Sequence, residues 1–187
     1  MDAPQDPTLP ADLPVPVDDG AADHLAGSGV PHLALRSTSG GTVDLAERSR
    51  SVRCVVFAYP RTGRPGTDPP AGWDSIPGAR GCTPEACSFR DLADEFATAG
   101  CEVFGLSTQD TEYQAEAVQR LRLPYPLLSD LGLGLAGAMG LPTFDFDGTT
   151  LLRRLTMVLH DGRVEQVLYP VFPPDAAAAD ALAALRR

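Results

Sequence analysis

Residues 52–59, Val-Arg-Cys-Val-Val-Phe-Ala-Tyr, constrain this chain more than any other stretch. The run is β-rich and apolar nearly throughout, so it has no polar face to turn to water. Such a run is expected for a central strand buried on both sides of its sheet, with helices covering each face. The remaining periodicities supply those helices. Thr83-Pro84-Glu85 opens one, with a capping hydroxyl, proline at the first helical position and an acid in the first turn. Ala86, Phe89, Ala93 and Phe96 carry it at helical spacing until Gly100 stops it.

Elsewhere, residues 32–35 and 42–45 read as short strands around Ser39-Gly40-Gly41, a hairpin signal. Residues 101–106 form a second buried strand, 111–122 a charged helix, 127–128 a short strand and 131–139 a small helix. Residues 155–159 and 164–169 flank His160-Asp161-Gly162 as a late hairpin. An Ala-rich helix over 175–185 follows Pro173-Pro174. Strands alternate with helices first and a hairpin comes last. The order predicts an α/β chain with a mixed central sheet flanked by helices, which suits a thioredoxin-like fold. At 187 residues there is room for one such domain.

Residues 1–20 hold five Pro and five Asp with no apolar period, so a flexible leader is expected over 1–28 and the domain over 29–187. A second irregular stretch, residues 60–81, holds five Pro and five Gly with Trp73 as its one large indole. Connections longer than ~12–15 residues are uncommon in compact domains and are usually functional or disordered. This one runs straight into two of the four cysteines, which favours function.

All fifteen basic residues are Arg, set against twenty-five acids, for a formal charge of −10. No basic run is present, so nucleic acids and anionic membranes are disfavoured as partners. The N-terminus lacks a basic region followed by an apolar one, and no apolar run reaches the ~20 residues that span a bilayer. A cytoplasmic location is expected, where cysteines are more often catalytic or metal-binding than structural. His24, His32 and His160 show no ligand spacing, and Cys82 with Cys87 lacks a matching second pair, so neither a metal nor a cofactor is expected.

The four cysteines divide by context. Cys54 and Cys101 lie within apolar strands and read as buried small hydrophobes. Cys82 stands at a helix start, where free backbone N–H groups and the helix dipole stabilise an anion. Such positions can lower a thiol from ~8.5 to ~3.5–7.5, which makes Cys82 the candidate nucleophile. Arg80 and Arg90 are near enough in sequence to deepen the effect. Cys87 follows five residues later, and on an intact helix the two Cα atoms lie roughly 8–9 Å apart. A disulfide needs about 4.4–6.8 Å, so pairing of these two would require the first turn to unwind.

The run Gly81-Cys82-Thr83-Pro84-Glu85-Ala86-Cys87-Ser88-Phe89-Arg90-Asp91 closely resembles the active-site segment of peroxiredoxins of the bacterioferritin-comigratory (Q) type, within the alkyl hydroperoxide reductase/thiol-specific antioxidant family. Tyr59-Pro60 is similar to the Tyr-Pro that ends the preceding strand there. The segment 154–159 with Asp161-Gly162 is similar to the one carrying the family's active-site Arg. The resemblance covers roughly residues 30–170. It implies a thioredoxin-fold, thiol-dependent peroxidase in which Cys82 matches the peroxidatic cysteine, Cys87 the resolving cysteine and Arg154 the Arg that orients peroxide and stabilises the thiolate. Pro60, Gly81 and Thr83 are implied around the substrate. It also implies a peroxide substrate, a thioredoxin-like protein reductant, and a monomer or homodimer.

This chain departs from the family's Pro-x-x-x-Thr-x-x-Cys pattern. Position 79 is Ala where the motif has Thr, and Pro60 lies twenty-two residues before Cys82. The loop therefore carries an insertion over 61–80, with Thr62 and Ser75 as candidates for the missing hydroxyl. Those departures motivate one alternative, a thiol–disulfide oxidoreductase or biosynthetic enzyme on the same scaffold; the other is a non-enzymatic redox-sensing or partner-binding module that uses a Cys82–Cys87 switch as its signal. Trp73 has two readings, one as a wall of a pocket over Cys82 and one as a pin holding the loop to the body.

Overall fold

The fold is seen in a computed structural model that describes residues 9–186. Its sheet grows from the expected central strand. That strand, β3 (Arg53–Ala58), pairs in parallel with β4 (Cys101–Ser107), which pairs in parallel with β5 (Leu127–Ser129). On the far side of β5 the hairpin β1 (Ala34–Ser37) and β2 (Thr42–Asp44) adds antiparallel strands. On the other side of β3 lies the antiparallel hairpin β8 (Leu155–His160) and β9 (Arg163–Leu168). The seven strands run in the order β2-β1-β5-β4-β3-β8-β9, a mixed sheet as expected. Asp161 and Gly162 both take positive φ between β8 and β9, as a two-residue turn of this hand requires.

Alternation along β3 divides the core into two layers. Cys54, Val56 and Ala58 face one, with Leu45 and Ala46 of α1 (Leu45–Ser51) and Leu135, Ala136 and Met139 of α5 (Gly134–Met139). Val55, Phe57 and Tyr59 face the other. There they meet α2 (Cys82–Asp91), α3 (Ala93–Thr98), α4 (Thr111–Leu121) and α6 (Ala177–Leu185). Period two in the strand thus becomes helices on both faces. Cys54 belongs to the first layer and Cys101 to the second, each buried as expected. Burial pushes the Cys54 thiol up to about 12.

Several local expectations are corrected. Leu45 starts α1 instead of ending a strand, because the Asp44 carboxylate accepts the Glu47 N–H in an N-cap. The helix expected over 83–99 is two, since Leu92 leaves helical geometry between α2 and α3. A second hairpin, β6 (Thr143–Phe146) and β7 (Thr149–Leu152), turns at Asp147-Gly148. The chain joins the body before residue 29. Ala22 and Leu25 are buried in the first layer, the Gly27 and Val30 N–H groups donate to the Val164 and Gly162 carbonyls of the β8–β9 hairpin, and the Ser28 carbonyl accepts from the Val164 N–H. Two isolated apolar residues leave no period to read, which hid this contact in an otherwise polar stretch. Residues 1–8 of the expected leader lie outside the described residues.

Candidate active site

The second layer carries the cysteine helix. Gly81, not Thr83, is the N-cap of α2, with φ +105, and Cys82 is the first helical residue. A side chain at Gly81 would collide with Pro174 at 2.6 Å and Leu9 at 2.9 Å, so both conformation and space demand glycine. Cys82 is buried, with 4% of its surface exposed. Its Sγ donates weakly to the Ala79 carbonyl at 3.7 Å and accepts from Nη2 of Arg154 at 3.3 Å. The Arg61 backbone N–H also lies near enough to favour the thiolate weakly.

Arg154 sits between β7 and β8, seventy-two residues from Cys82 in sequence. Its Nη2 also donates to the carbonyls of Gly78, Ala79 and Arg80, at 3.3, 3.4 and 3.2 Å, which ties the end of the insertion to the site. Its Nη1 pairs with Glu85 Oε2. Glu85 is fully buried, so the acid expected to serve the helix start reaches inward instead. The other Glu85 oxygen, Oε1, has no hydrogen-bond partner among the described residues. Burial therefore outweighs one guanidinium contact, and the Glu85 carboxyl is pushed up to about 7. Arg154 stays cationic, with Glu85 and Cys82 holding its proton against burial.

This arrangement changes the expected state of Cys82. Burial and the Glu85 carboxylate push its thiol up, while Arg154 and the Arg61 N–H oppose them. The low thiol expected at a helix start is not reached in this closed geometry, because water is excluded from the sulfur. The arginines near in sequence do not act on it. Arg80 pairs with Asp74 at 2.9 Å, and Arg90 places Nη1 at 3.3 Å from Cys87 Sγ and 3.2 Å from the Leu121 carbonyl.

Cys87 is buried on the same intact helix, and all four cysteines are free thiols. Tyr125 holds the helix between the two cysteines, its hydroxyl donating to the Ala86 carbonyl at 2.6 Å. Of the residues expected around substrate, Gly81 and Thr83 line the cavity beside Cys82. Pro60 is buried at the end of β3 and is not on that wall, though it leads directly to the Arg61 N–H. Neither candidate hydroxyl reaches the sulfur. Thr62 is committed to Gln109, with Oγ1 and N–H at 3.2 and 2.9 Å from Oε1, and Ser75 is exposed in a 3-10 turn. Ala79 is fully buried, and at that position it is the backbone carbonyl that serves the site.

Both readings of Trp73 hold at once. The indole is 5% exposed and packs on Phe144 and Phe146 of the β6–β7 hairpin, with ring centroids 6.2 and 5.0 Å away. It also lines the cavity of about 460 Å³ that opens over Cys82. Sequence reasoning missed three functional groups: the Arg61 N–H, the inward Glu85 and Arg90 on Cys87. Glu85 and Arg90 had a signal, each standing three residues after a cysteine on the same helix, which puts each pair on one helix face.

The family described as Redoxin matches residues 25–185. The protein named peroxiredoxin Q, chloroplastic, of Oryza sativa subsp. japonica is 36% identical over 144 residues, which is 76% of this chain and 58% of the rice protein. This chain thus spans under two thirds of that relative. The crystal structure of peroxidoxin BcpB from Mycobacterium tuberculosis superposes with TM-score 0.70 at 33% identity, covering 87% of this chain and 96% of that one. A Xanthomonas campestris peroxiredoxin Q structure matches the fold with TM-score 0.64 at 23% identity, covering 94% of this chain and 98% of that one.

Proposed function

The chain belongs to the Redoxin family, and from that premise we propose that it is a thiol-dependent peroxidase reducing hydrogen peroxide or organic hydroperoxides at Cys82. The observation that carries the reading is Arg154 Nη2 set at 3.3 Å from the Cys82 sulfur at the first turn of α2, with the Arg61 N–H adding a weaker pull toward the thiolate. Both groups favour the thiolate, which is the reacting form. The same donors stabilise negative charge that spreads onto the peroxide oxygens as the O–O bond breaks.

The Cys82 thiolate attacks one peroxide oxygen. The S–O bond forms as the O–O bond breaks, giving a sulfenic acid and an alkoxide or hydroxide that takes a proton to become alcohol or water. The Cys87 thiol then attacks the sulfenic sulfur, forming the disulfide and releasing water. Because α2 holds both cysteines on intact helix, this step requires its first turns to open. A dithiol of the thioredoxin-like class returns both cysteines to thiols by exchange. A reducing compartment such as the cytoplasm fits that cycle. Pairing within one helix needs no second subunit, so a monomer suffices, with a homodimer compatible.

Stopped-flow mixing of the reduced protein with hydrogen peroxide tests the reading. Consumption much faster than by a free thiol is expected, lost in Cys82→Ser and reduced to one unrecycled turnover in Cys87→Ser. Consumption no faster than by a free thiol overturns it. Mass spectrometry after one equivalent of peroxide should place the disulfide between Cys82 and Cys87. A bridge to Cys54 or Cys101 would reject the assigned resolving cysteine.

A further inference from the structure

Cys87 has a cation of its own. Arg90 stands three residues on, one turn along α2, and its Nη1 donates to Cys87 Sγ at 3.3 Å. Cys87 is 3% exposed, in the core layer with Ala86, Phe89 and Leu121, surroundings that oppose a charged sulfur. The guanidinium is the counterweight. An arginine beside a thiol favours the thiolate, and the thiolate is the form that attacks sulfur. The charge of Arg90 is felt across this cluster. Burial pushes the nearby Tyr125 hydroxyl well up, and Arg90 pulls against it.

The guanidinium is also anchored away from the cysteine helix. The same Nη1 donates at 3.2 Å to the carbonyl of Leu121, the last residue of α4, and Nε pairs with Asp91 at 2.8 Å. A helix leaves its final carbonyls without partners inside the helix, so a half-buried arginine finds a fixed seat there. That seat belongs to α4 and not to the first turn of α2. Tyr125, which follows α4, holds the Ala86 carbonyl from the same side at 2.6 Å. Opening the turn that carries Cys82 therefore leaves Arg90 fixed on α4 with Cys87 beside it.

Resting on the peroxidase reading above, we propose that Arg90 is the positioning residue of the resolving step, holding Cys87 in place and favouring its thiolate so that the disulfide closes before a second peroxide arrives. The Cys87 proton passes to solvent, the thiolate forms the S–S bond to Cys82, the S–O bond breaks, and the hydroxide released takes a proton to become water. The competing reaction is oxidation of the sulfenic acid to sulfinic acid by a second peroxide, which ends turnover. The speed of Cys87 decides between them. A cation at this range changes the thiolate fraction on the order of tenfold to hundredfold. The thiolate formed without it is more nucleophilic, with a Brønsted slope of ~0.4–0.5, so the net loss of rate is about three- to tenfold. Asp91, paired with Arg90, and Tyr125 flank the pair, and Glu85 on the same helix titrates at about 7. These groups are common to every Arg90 variant, so a comparison of variants isolates the guanidinium.

The test is single-turnover mixing of the reduced protein with a small excess of hydrogen peroxide, in a Cys54→Ser, Cys101→Ser background. Acid quenching and mass spectrometry then follow sulfenic acid and disulfide at Cys82 as functions of time and pH. Arg90→Gln and Arg90→Leu, two neutral replacements of different polarity, should slow disulfide formation at pH 7 by about three- to tenfold and move the pH midpoint of that step upward. Arg90→Lys keeps the charge and should recover most of the rate. At higher peroxide the neutral variants should accumulate sulfinic acid at Cys82 at proportionately lower concentrations than the parent. A parental rate and midpoint in the neutral variants overturn the proposal and leave the peroxidase reading standing. A slower step whose midpoint stays put and which Lys does not recover overturns it as well, because Arg90 would then only hold α2 to α4. No oxidation of Cys82 in the parent protein defeats the peroxidase reading and this proposal together.

Discussion

Replacing Glu85 by Gln should lower the Cys82 thiol pKa and remove a pH dependence from the stability of the fold. The amide keeps an oxygen for Arg154 Nη1 and deletes a negative charge that pushes Cys82 up. Residues three apart on a helix have Cβ atoms about 5–6 Å apart, and at an effective dielectric near 20 a unit charge at that range is worth about 3 kcal/mol. Glu85, at about 7, is ionised where the buried thiol titrates, so removing its charge should lower the thiol pKa. The stability effect has a definite sign. Glu85 is pushed from its ordinary 4.5 up to about 7, so between those values the folded protein holds a proton that the unfolded chain has lost. The stabilisation is complete below pH 4.5 and is lost as pH rises through 7, and the span corresponds to about 3 kcal/mol. Iodoacetamide alkylation of Cys82 against pH, in a Cys54→Ser, Cys87→Ser, Cys101→Ser background, reads the first effect. Urea unfolding at pH 4.5, 6 and 7.5 reads the second, as the wild-type slope that the Gln variant lacks. Identical alkylation profiles, or identical pH slopes of stability, would refute the reasoning, because Glu85 would then carry no charge that its neighbours feel.

Arg154→Gln strands the buried Glu85 carboxyl and removes the guanidinium from Cys82, so peroxide reaction should slow by at least about 100-fold, as for loss of a preorganised donor. Breaking a buried pair from one side costs about 3–5 kcal/mol, and protonation of Glu85 should make the loss smaller at pH 5 than at pH 8, measured by urea unfolding. Gly105→Ala should destabilise by about 1–3 kcal/mol in thermal unfolding, since its new Cβ would lie 2.4 Å from Leu127 Cδ2 and 2.9 Å from Phe57 Cζ. Trp73→Ala removes an indole packed on Phe144 and Phe146, so proteolysis should cut within residues 61–80 at far lower protease concentration while the sheet amides keep their hydrogen-exchange protection.

The layered sheet was legible because its signals are local. The uninterrupted apolar run from Cys54 to Tyr59 admits few fates, and the helical spacing of Ala86, Phe89 and Phe96 survives into the second core layer even though the helix breaks at Leu92. Weaker elements were lost where the signal was short. Asp44 with Glu47 marks the start of α1, and Asp147-Gly148 between Thr143–Phe146 and Thr149–Leu152 marks a hairpin. Both are capping or turn patterns that span only a few residues.

By itself the sequence determined the fold class, the division of the four cysteines into two strand residues and two helix residues, and the choice of Arg154 through its resemblance to a known family. Each of these rests on periodicity or on a motif, and both are properties of neighbours along the chain. Tertiary structure alone decided what surrounds the sulfur. It set Arg154 on Cys82 across seventy-two residues and seated Arg90 against the Leu121 carbonyl. It turned Glu85 inward and folded the insertion so that Arg61 and Arg64 rest on aromatic rings beside the cavity. The physical reason is that charge and burial act through space. The state of a thiol depends on which groups within a few ångströms share its exclusion from water, and no spacing in the sequence specifies those groups.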